Sequence, residues 1–271
     1  MNKQKLIIFF IILLFGVDLL VISFNIGGVF FEPLRNTLYA GGQLLSIIGG
    51  IYAVNKFGIK NKTGKTLLFF TLGLMLWLAG GAIFAITDFL KGVVTFPSIA
   101  DGIIFIGYAL ILIALIHEVR SRQILLTRVH KLLLSLVVIL TALIVFYLNV
   151  YVIFDPATPL LITAATVIYS FADIILVSAL ILVLILANGY SGGKLFYPWF
   201  YLFIGMVLTL FADVLFSIYI EDYLGKTGIN VGIDVIWRLA YVFFAIGLFK
   251  LGFVIANIQK NILSHPESLK S

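Results

Sequence analysis

Long apolar runs separated by short polar loops recur from one end of this chain to the other. Hydrophobic residues make up 62% of the 271 residues and charged residues only 11%, whereas about a quarter of the residues in a soluble globular domain are charged. A helix needs about 20 apolar residues to cross a bilayer, and the runs reach that length. The sequence therefore predicts an all-α integral membrane protein.

The polar interruptions divide the chain into eight predicted transmembrane helices within a single membrane domain. The first apolar run is too long for the core of a signal peptide, and no small-residue cleavage site follows it, so we interpret it as an uncleaved span. Residues 257–271 are expected to form a short polar cytoplasmic tail. The predicted spans cover residues 5–31, 34–57, 66–90, 98–119, 132–154, 160–187, 195–220 and 232–256.

The basic residues indicate how the spans are oriented. With eight spans and both termini in the cytoplasm, fourteen of the 18 Lys and Arg residues lie on the cytoplasmic side. Such an excess is typical of the cytoplasmic loops of membrane proteins. The net charge of +6 is spread over these loops and forms no separate basic domain, so nucleic acid is not an expected partner. We predict a multi-pass protein of the cell membrane whose main partner is the lipid bilayer.

Part of the sequence occurs twice at a fixed offset. Asp101 and Tyr108 recur 133 positions later as Asp234 and Tyr241, and the same offset places Asp88 on an acid, Glu221. A fixed offset of this kind indicates an internal duplication. Because each half holds four spans, the prediction is two parallel four-helix repeats, at about 5–119 and 131–256, related by an axis along the membrane normal.

Several acids fall within the predicted spans instead of in loops. A carboxylate at the centre of a span costs roughly 2.5–3.5 kcal/mol on insertion scales, so such acids should face the interior of the bundle. Together with acids and cations near the outer ends of the spans, they are predicted to line an outward-facing polar cavity. The candidate ligand-binding residues are Asp213, Asp234, Arg238, Asp101, Asp88, Asp18, Asp173, Tyr108 and Tyr241.

Two of these acids have an alternative structural role. Ser98 and Asp101 have the spacing of a helix capping box, in which the acid stabilises the first turn. Asp234 is placed to pair with Arg238 one helical turn later. Both acids are therefore candidates for stabilising helix starts as well as for binding.

Asp213 has no such structural explanation. It lies inside the seventh span, and the duplication places Gly80 at the equivalent position. Because an unpaired buried carboxylate is costly, we expect it to face protein, near Arg238 or a tyrosine hydroxyl. We predict that Asp213 matters more for function than the other acids.

The tyrosines within spans, including Tyr169, are predicted either to bond carboxylates of neighbouring helices or to pack in the core.

The residues exclude several enzyme classes. The chain has no cysteine, and its three histidines lie near span ends or in the tail, so thiol chemistry and a buried histidine pair are absent. Neither a G-x-S-x-G elbow nor a phosphate-binding loop occurs. A paired-aspartate hydrolase would have to use Asp173 with Asp213, and the sequence gives no reason to place them within reach. We expect no catalysis, no cofactor and no metal.

Four short motifs resemble a known class of membrane region. They are Pro97-Ser98-Ile99-Ala100-Asp101 with Gly107-Tyr108, Ile168-Tyr169-Ser170-Phe171-Ala172-Asp173, Leu210-Phe211-Ala212-Asp213, and Gly232-Ile233-Asp234 continuing to Tyr241. Over about residues 34–250 the chain resembles the multi-pass sensor regions that precede diguanylate cyclase, phosphodiesterase and histidine kinase domains in prokaryotes. The resemblance implies an input module. Because the chain ends soon after the eighth span, signalling is expected to need a cytoplasmic partner or a homo-oligomer.

Three functions follow from these observations. The first is a sensor-like module that binds a small ligand or cation in an outward-facing polar cavity. The second is a secondary transporter or channel, since parallel repeats and intramembrane carboxylates are also found there. The third is a structural subunit of a membrane complex.

Overall fold

The computed structural model describes residues 3–92, 96–122, 127–154, 158–188, 194–226 and 228–264. Apart from one 3-10 turn at Gly28–Phe30, the regular structure in these ranges is α-helical, which confirms the predicted all-α class. The helices are α1 (Lys3–Ser23), α2 (Phe31–Phe57), α3 (Lys62–Lys91), α4 (Ile99–Arg122), α5 (Arg128–Phe154), α6 (Leu160–Asn188), α7 (Phe196–Ile218), α8 (Ile220–Leu224) and α9 (Ile229–Ser264).

Membrane-spanning length is reached by most of these helices. In the described part of the chain, seven helices are long and apolar enough to cross a bilayer, namely α1, α2, α3, α4, α6, α7 and α9. In α5 the apolar stretch Leu134–Leu148 is shorter, so the number of eight spans stays a prediction. Large apolar side chains such as Phe10, Leu136 and Phe171 are exposed on the outside of the bundle, as contact with lipid requires.

Two helix ends differ from the predicted boundaries. α1 ends at Ser23 instead of near residue 31, because Asn25, Gly27 and Gly28 have positive φ angles of 49°, 126° and 53° and turn the chain. The turn itself contains apolar residues, which hid it in the hydropathy pattern. At the other end, α9 continues to Ser264, so the beginning of the predicted polar tail is helical. Residues 265–271 lie outside the described ranges.

Six helices surround the centre of the molecule. In the order α2, α3, α4, α6, α7 and α9, each packs against the next, and α9 packs against α2. We call this arrangement the central ring. α1 lies outside it against α2 and α9, and α5 lies outside it against α6 and α7. The ring is compatible with the predicted duplication, which remains a prediction.

One end of the central ring is filled by apolar side chains. Phe244 of α9 packs edge-on against Phe70 of α3, with ring centroids 6.1 Å apart, and both rings are fully buried. Other side chains under 2% exposed at this end include Leu67, Leu74, Ile111, Leu115, Leu180, Trp199, Leu202, Leu248 and Leu251. We call this part of the bundle the packed end.

Small residues allow α3 and α4 to approach closely. A Cβ added at Gly107 of α4 would lie 2.6 Å from Trp77 Cδ1 and 2.9 Å from the carbonyl oxygen of Gly73. A Cβ added at Gly80 of α3 would lie 2.5 Å from the Ile104 side chain of α4. Close contact of this kind is a common basis of helix association in membranes.

Candidate functional site

The other end of the central ring encloses a cavity of about 260 Å³. Its walls come from the C-terminal halves of α3 and α7, from the N-terminal halves of α2, α4 and α9, and from Tyr169 of α6. The short helix α8 and the connecting residues Phe96 and Lys226 complete them. All these segments lie at the same end of the bundle, opposite the packed end. The charged residues that line the cavity are Arg35, Asp88, Asp101, Asp213, Lys226 and Asp234.

The acids nearest the loops have cations beside them. Asp88 at the end of α3 accepts hydrogen bonds from Lys226 Nζ at 2.8 and 2.9 Å. The Arg35 guanidinium lies 3.8 Å from Asp234 and forms a closer pair, at 2.8 Å, with Glu32. Because Lys226 precedes α9 and Arg35 belongs to α2, these pairs connect elements around the mouth of the cavity.

Tyr223 of the short helix α8 gives Asp234 a further partner. Its hydroxyl donates to Asp234 Oδ1 at 2.7 Å. Removal from water raises the pKa of Tyr223, and the adjacent Asp234 carboxylate raises it further. The hydroxyl therefore keeps its proton near neutral pH and remains a donor to the carboxylate.

Asp101 forms the predicted capping box at the start of α4. Its Oδ2 accepts from the backbone N–H of Ser98 at 2.6 Å and from the Ser98 hydroxyl at 3.1 Å, while Ser98 Oγ accepts from the N–H of Ala100 at 3.2 Å. The other carboxylate oxygen, Oδ1, accepts from the Tyr169 hydroxyl of α6 at 2.8 Å. One carboxylate thus caps a helix and faces the cavity.

Asp213 lies deeper in the cavity, among neutral donors. The Tyr108 hydroxyl is 2.8 Å from its Oδ2, and Trp237 Nε1 donates to its Oδ1 at 2.6 Å. Tyr108 stands on α4 and Asp213 on α7, with α6 between them in the ring order. The prediction that Asp213 lies near a tyrosine hydroxyl is confirmed, whereas Arg238 is engaged elsewhere. We call Tyr108, Asp213 and Trp237 the cavity floor.

A second carboxyl group lies directly behind the cavity floor. Asp173 of α6 is 0% exposed, and its Oδ1 is 2.8 Å from the Tyr108 hydroxyl. The Tyr108 hydroxyl thus lies 2.8 Å from a carboxyl oxygen of Asp173 and 2.8 Å from one of Asp213. No reason to place these two aspartates within reach of each other was found in the sequence, whereas the structure brings both to the same hydroxyl. The sequence cannot show this proximity, because they belong to different helices, 40 positions apart.

The geometry of this cluster limits its chemistry. Tyr108 has one hydroxyl proton but contacts two carboxyl groups, each at 2.8 Å, so both contacts are hydrogen bonds only if one carboxyl also carries a proton. In a paired-aspartate hydrolase a water molecule must lie between the carboxyl groups. Here the Tyr108 hydroxyl lies between them, which favours a proton-sharing cluster over a hydrolytic site.

Arg238 belongs to a different region of the molecule. It forms a buried salt bridge with Asp18 of α1, in which the two side chains are 3% and 5% exposed. Its guanidinium also lies 4.9 Å from the centre of the Tyr39 ring and donates to the carbonyl of Arg35 at 3.3 Å. The predicted pairing of Arg238 with Asp234 is therefore wrong. The alternative partner, on a helix 220 positions away, was not recognisable by spacing within one helix.

The predicted site residues thus fall into two groups. Those that line the cavity are Asp88, Asp101, Tyr108, Asp213, Asp234 and Tyr241. Asp173 lies behind the cavity floor, and Asp18 with Arg238 forms the salt bridge between α1 and α9. The prediction that Asp18, Asp173 and Arg238 line the cavity is therefore not met, because each points into contacts between helices.

Sequence reasoning missed the aromatic part of the site. Trp237 bonds Asp213, and Trp77 packs against Tyr108 with ring centroids 4.8 Å apart. Trp237 follows Asp234 by three positions and precedes Tyr241 by four, so all three share one face of α9. That spacing was available in the sequence. No comparable spacing in the sequence indicated that Trp77 belongs to the site.

Comparisons with known proteins returned no match, whether the chain was compared with protein-family models, with curated proteins or with solved structures. Functional argument for this chain therefore depends on its own geometry.

Proposed function

We propose that this protein is a sensor-like membrane protein that binds a small ligand in the cavity of its central ring. The cavity itself carries this proposal, since polar and aromatic groups surround it while the packed end beneath it is filled by side chains under 2% exposed. A pocket with a closed floor is suited to holding a ligand, whereas a channel needs a continuous path. Pockets that combine apolar walls with a few polar groups are typical binding sites.

We also propose that the cavity faces the outside of the cell and that both termini are cytoplasmic. The support is the predicted distribution of fourteen of 18 basic residues on the packed-end side, since cytoplasmic loops carry an excess of Lys and Arg. α5 fits this topology. α4, which precedes it, ends at the packed end, and α6, which follows it, begins at the cavity end, so α5 has to run from one end of the bundle to the other. A helix of 27 residues spans about 40 Å, enough to connect the two ends as an eighth span.

A ligand in this cavity would act as a signal by favouring one packing of the ring. Tyr108 and Asp213 connect α4 with α7 across the cavity floor, so a ligand that replaces their contact changes how these helices sit together. Such a ligand shifts the population between two states of the bundle. We propose that the change reaches a cytoplasmic signalling partner or a second copy of the chain.

A secondary transporter is the second candidate, and the cluster of Asp173, Tyr108 and Asp213 favours it. The Tyr108 hydroxyl is 2.8 Å from both carboxyl groups directly beneath the cavity, and transporters that couple to protons use buried carboxyl groups. Uptake assays in proteoliposomes separate the two functions. Accumulation of a bound ligand driven by a proton gradient supports transport, and binding without accumulation supports sensing.

Access to the cavity is tested with single cysteines, since the natural chain has none. An impermeant thiol reagent applied to intact cells should label Ala82→Cys, which lines the cavity, and Lys226→Cys at its mouth. It should not label Ala114→Cys, because Ala114 is 0% exposed within the bundle, or Lys60→Cys in the predicted cytoplasmic loop. Labelling of position 60 without position 226 would reverse the proposed orientation, and failure to label position 82 would remove the open cavity.

A further inference from the structure

The cavity has an imbalance of charge that defines the kind of ligand it fits. Resting on the proposed binding function, we propose that the cavity binds a small organic ammonium ion. In this arrangement the charged nitrogen lies near Asp213 and Asp101, and the attached carbon groups contact the surrounding aromatic rings.

The first support is the number of charges on the cavity wall. Four carboxyl groups line the cavity, at Asp88, Asp101, Asp213 and Asp234, against the two cations Arg35 and Lys226. With Asp173 directly behind the floor, the surroundings carry a net negative charge even if Asp173 and Asp213 share one proton. An anionic ligand is therefore disfavoured and a cation is favoured.

The second support is the position of the acids that lack a cation. Asp88 pairs with Lys226, and Asp234 lies beside Arg35. Within the described ranges, Asp101 and Asp213 form no salt bridge and instead accept hydrogen bonds from neutral groups of Ser98, Tyr108, Tyr169 and Trp237. A carboxylate oxygen has two lone pairs. Asp101 Oδ1 and both oxygens of Asp213 each accept a single one of these hydrogen bonds, so each can accept a further bond from a cation. Uncompensated negative charge therefore lies inside the cavity at Asp101 and Asp213, in addition to the excess of acids at the mouth, where Glu32 and Asp234 share the single cation Arg35.

The third support is a series of aromatic rings around these two acids. Consecutive ring centroids lie 4.8 to 6.3 Å apart along the series. All of its members line the cavity, and they are Trp77, Tyr108, Tyr169, Phe96, Phe216 and Trp237. The faces of such rings attract alkylammonium groups, an interaction worth about 0.5–2 kcal/mol per ring.

An inorganic ion fits these walls less well. Among the residues that the structure describes, no group of three or more His, Asp or Glu side chains is arranged to hold a metal ion. The cavity of about 260 Å³ is much larger than a bare ion, yet slightly below the roughly 300–1,000 Å³ of pockets for drug-sized ligands. Its size and the aromatic rings in its walls match a small amine.

The test uses choline and butylammonium as cationic probes, with 3,3-dimethylbutan-1-ol and 1-pentanol as neutral counterparts of similar shape and butyrate as an anion. Binding to the purified full chain in nanodiscs is followed by tryptophan fluorescence. Two of the three tryptophans, Trp77 and Trp237, line the cavity, and the third, at the packed end, is removed by Trp199→Phe. We expect saturable binding of at least one ammonium probe, at least ten times tighter than its neutral counterpart. Equal affinity for the neutral compound, preference for butyrate, or no saturable response to either ammonium would overturn the assignment.

Variants locate the charge that recognises the ligand. Asp213→Asn should weaken ammonium binding at least tenfold, whereas Glu221→Gln should not, because Glu221 is an exposed acid of α8 outside the cavity wall. Each variant is first checked for folding by thermal unfolding, and Asp101→Asn provides a second test in case Asp213→Asn does not fold. Equal weakening by Glu221→Gln would indicate a general surface-charge effect and would contradict the proposal.

Lipids with amine headgroups carry the same chemistry, so the assay is run in two bilayers. In nanodiscs of phosphatidylglycerol alone, the ammonium probes compete with no other amine. If phosphatidylethanolamine in the bilayer weakens probe binding, the natural occupant is a lipid headgroup; unchanged binding assigns a soluble amine.

Failure of this inference is distinct from failure of the proposed function. Binding of neutral or anionic probes, with protection of Ala82→Cys from the thiol reagent, would refute only the ammonium assignment, whereas an unlabelled position 82 would refute the cavity itself.

Discussion

The contact between α1 and α9 and the cavity floor both bury an aspartate, but the two aspartates have different partners. Asp18 faces the guanidinium of Arg238, and both side chains are almost completely enclosed. Asp213 faces a phenol and an indole and borders the cavity. The first carboxylate is fully compensated within the protein, whereas the second leaves negative charge available to a ligand. A buried acid is therefore a candidate for binding only when its surroundings leave its charge uncompensated.

The largest effect on stability is expected from breaking the compensated pair. Asp18→Asn leaves the Arg238 cation buried without a charged partner, and removing one partner of a buried ion pair costs about 3–5 kcal/mol. Thermal unfolding of the purified protein in detergent or nanodiscs should show a clearly lower midpoint. The double variant Asp18→Leu/Arg238→Met removes both charges and should recover most of the loss. If Asp18→Asn unfolds like the natural chain, the pair does not hold α1 against α9.

An intermediate effect is expected where the cavity wall meets the close packing of α3 and α4. In Gly107→Ala the new methyl group would lie 2.6 Å from Trp77 Cδ1 and 2.9 Å from the Gly73 carbonyl oxygen, so the two helices must separate or Trp77 must move. Overpacking of this kind costs about 1–3 kcal/mol.

Gly102→Ala on the same helix is the matched control, because an added Cβ there meets nothing within 4 Å. Unfolding midpoints of the two variants should differ, with Gly102→Ala close to the natural chain. Trp77 fluorescence should also change in Gly107→Ala alone. Equal midpoints would show that the contact between α3 and α4 relaxes without cost.

The smallest effect is expected at Asp101, whose partners are neutral. Asp101→Asn weakens the capping box with Ser98 and the bond from Tyr169, and the loss of a cap costs about 1 kcal/mol. Tyr169→Phe removes only the bond between α6 and α4 and serves as the comparison in the same unfolding assay. A loss as large as that of Asp18→Asn would mean that Asp101 is compensated by charge, as Asp18 is, and would remove it from the candidate ammonium site.

The cavity floor shows which inferences depended on a single helix and which on neighbouring helices. The capping box of Ser98 and Asp101 was predicted correctly, because both partners lie within one helical turn. The partners of Asp18, Asp173 and Arg238 were not, because each is on another helix. The predicted bond between Asp234 and Arg238 failed for the same reason. Spacing within α9 allowed that bond, but the position of α1 supplied a better partner in Asp18.

The sequence by itself determined the all-α class, the apolar helices and the presence of interior acids. These properties follow from the length of each apolar run and from the free-energy cost of placing a polar group in lipid. Both act on each segment separately. The tertiary structure alone decided which acids meet cations and which meet the cavity. Hydrogen bonds and ion pairs act over about 3 to 4 Å, so the character of Asp213 depends on the packing of α4, α6, α7 and α9 around it. No pattern along the chain records that packing.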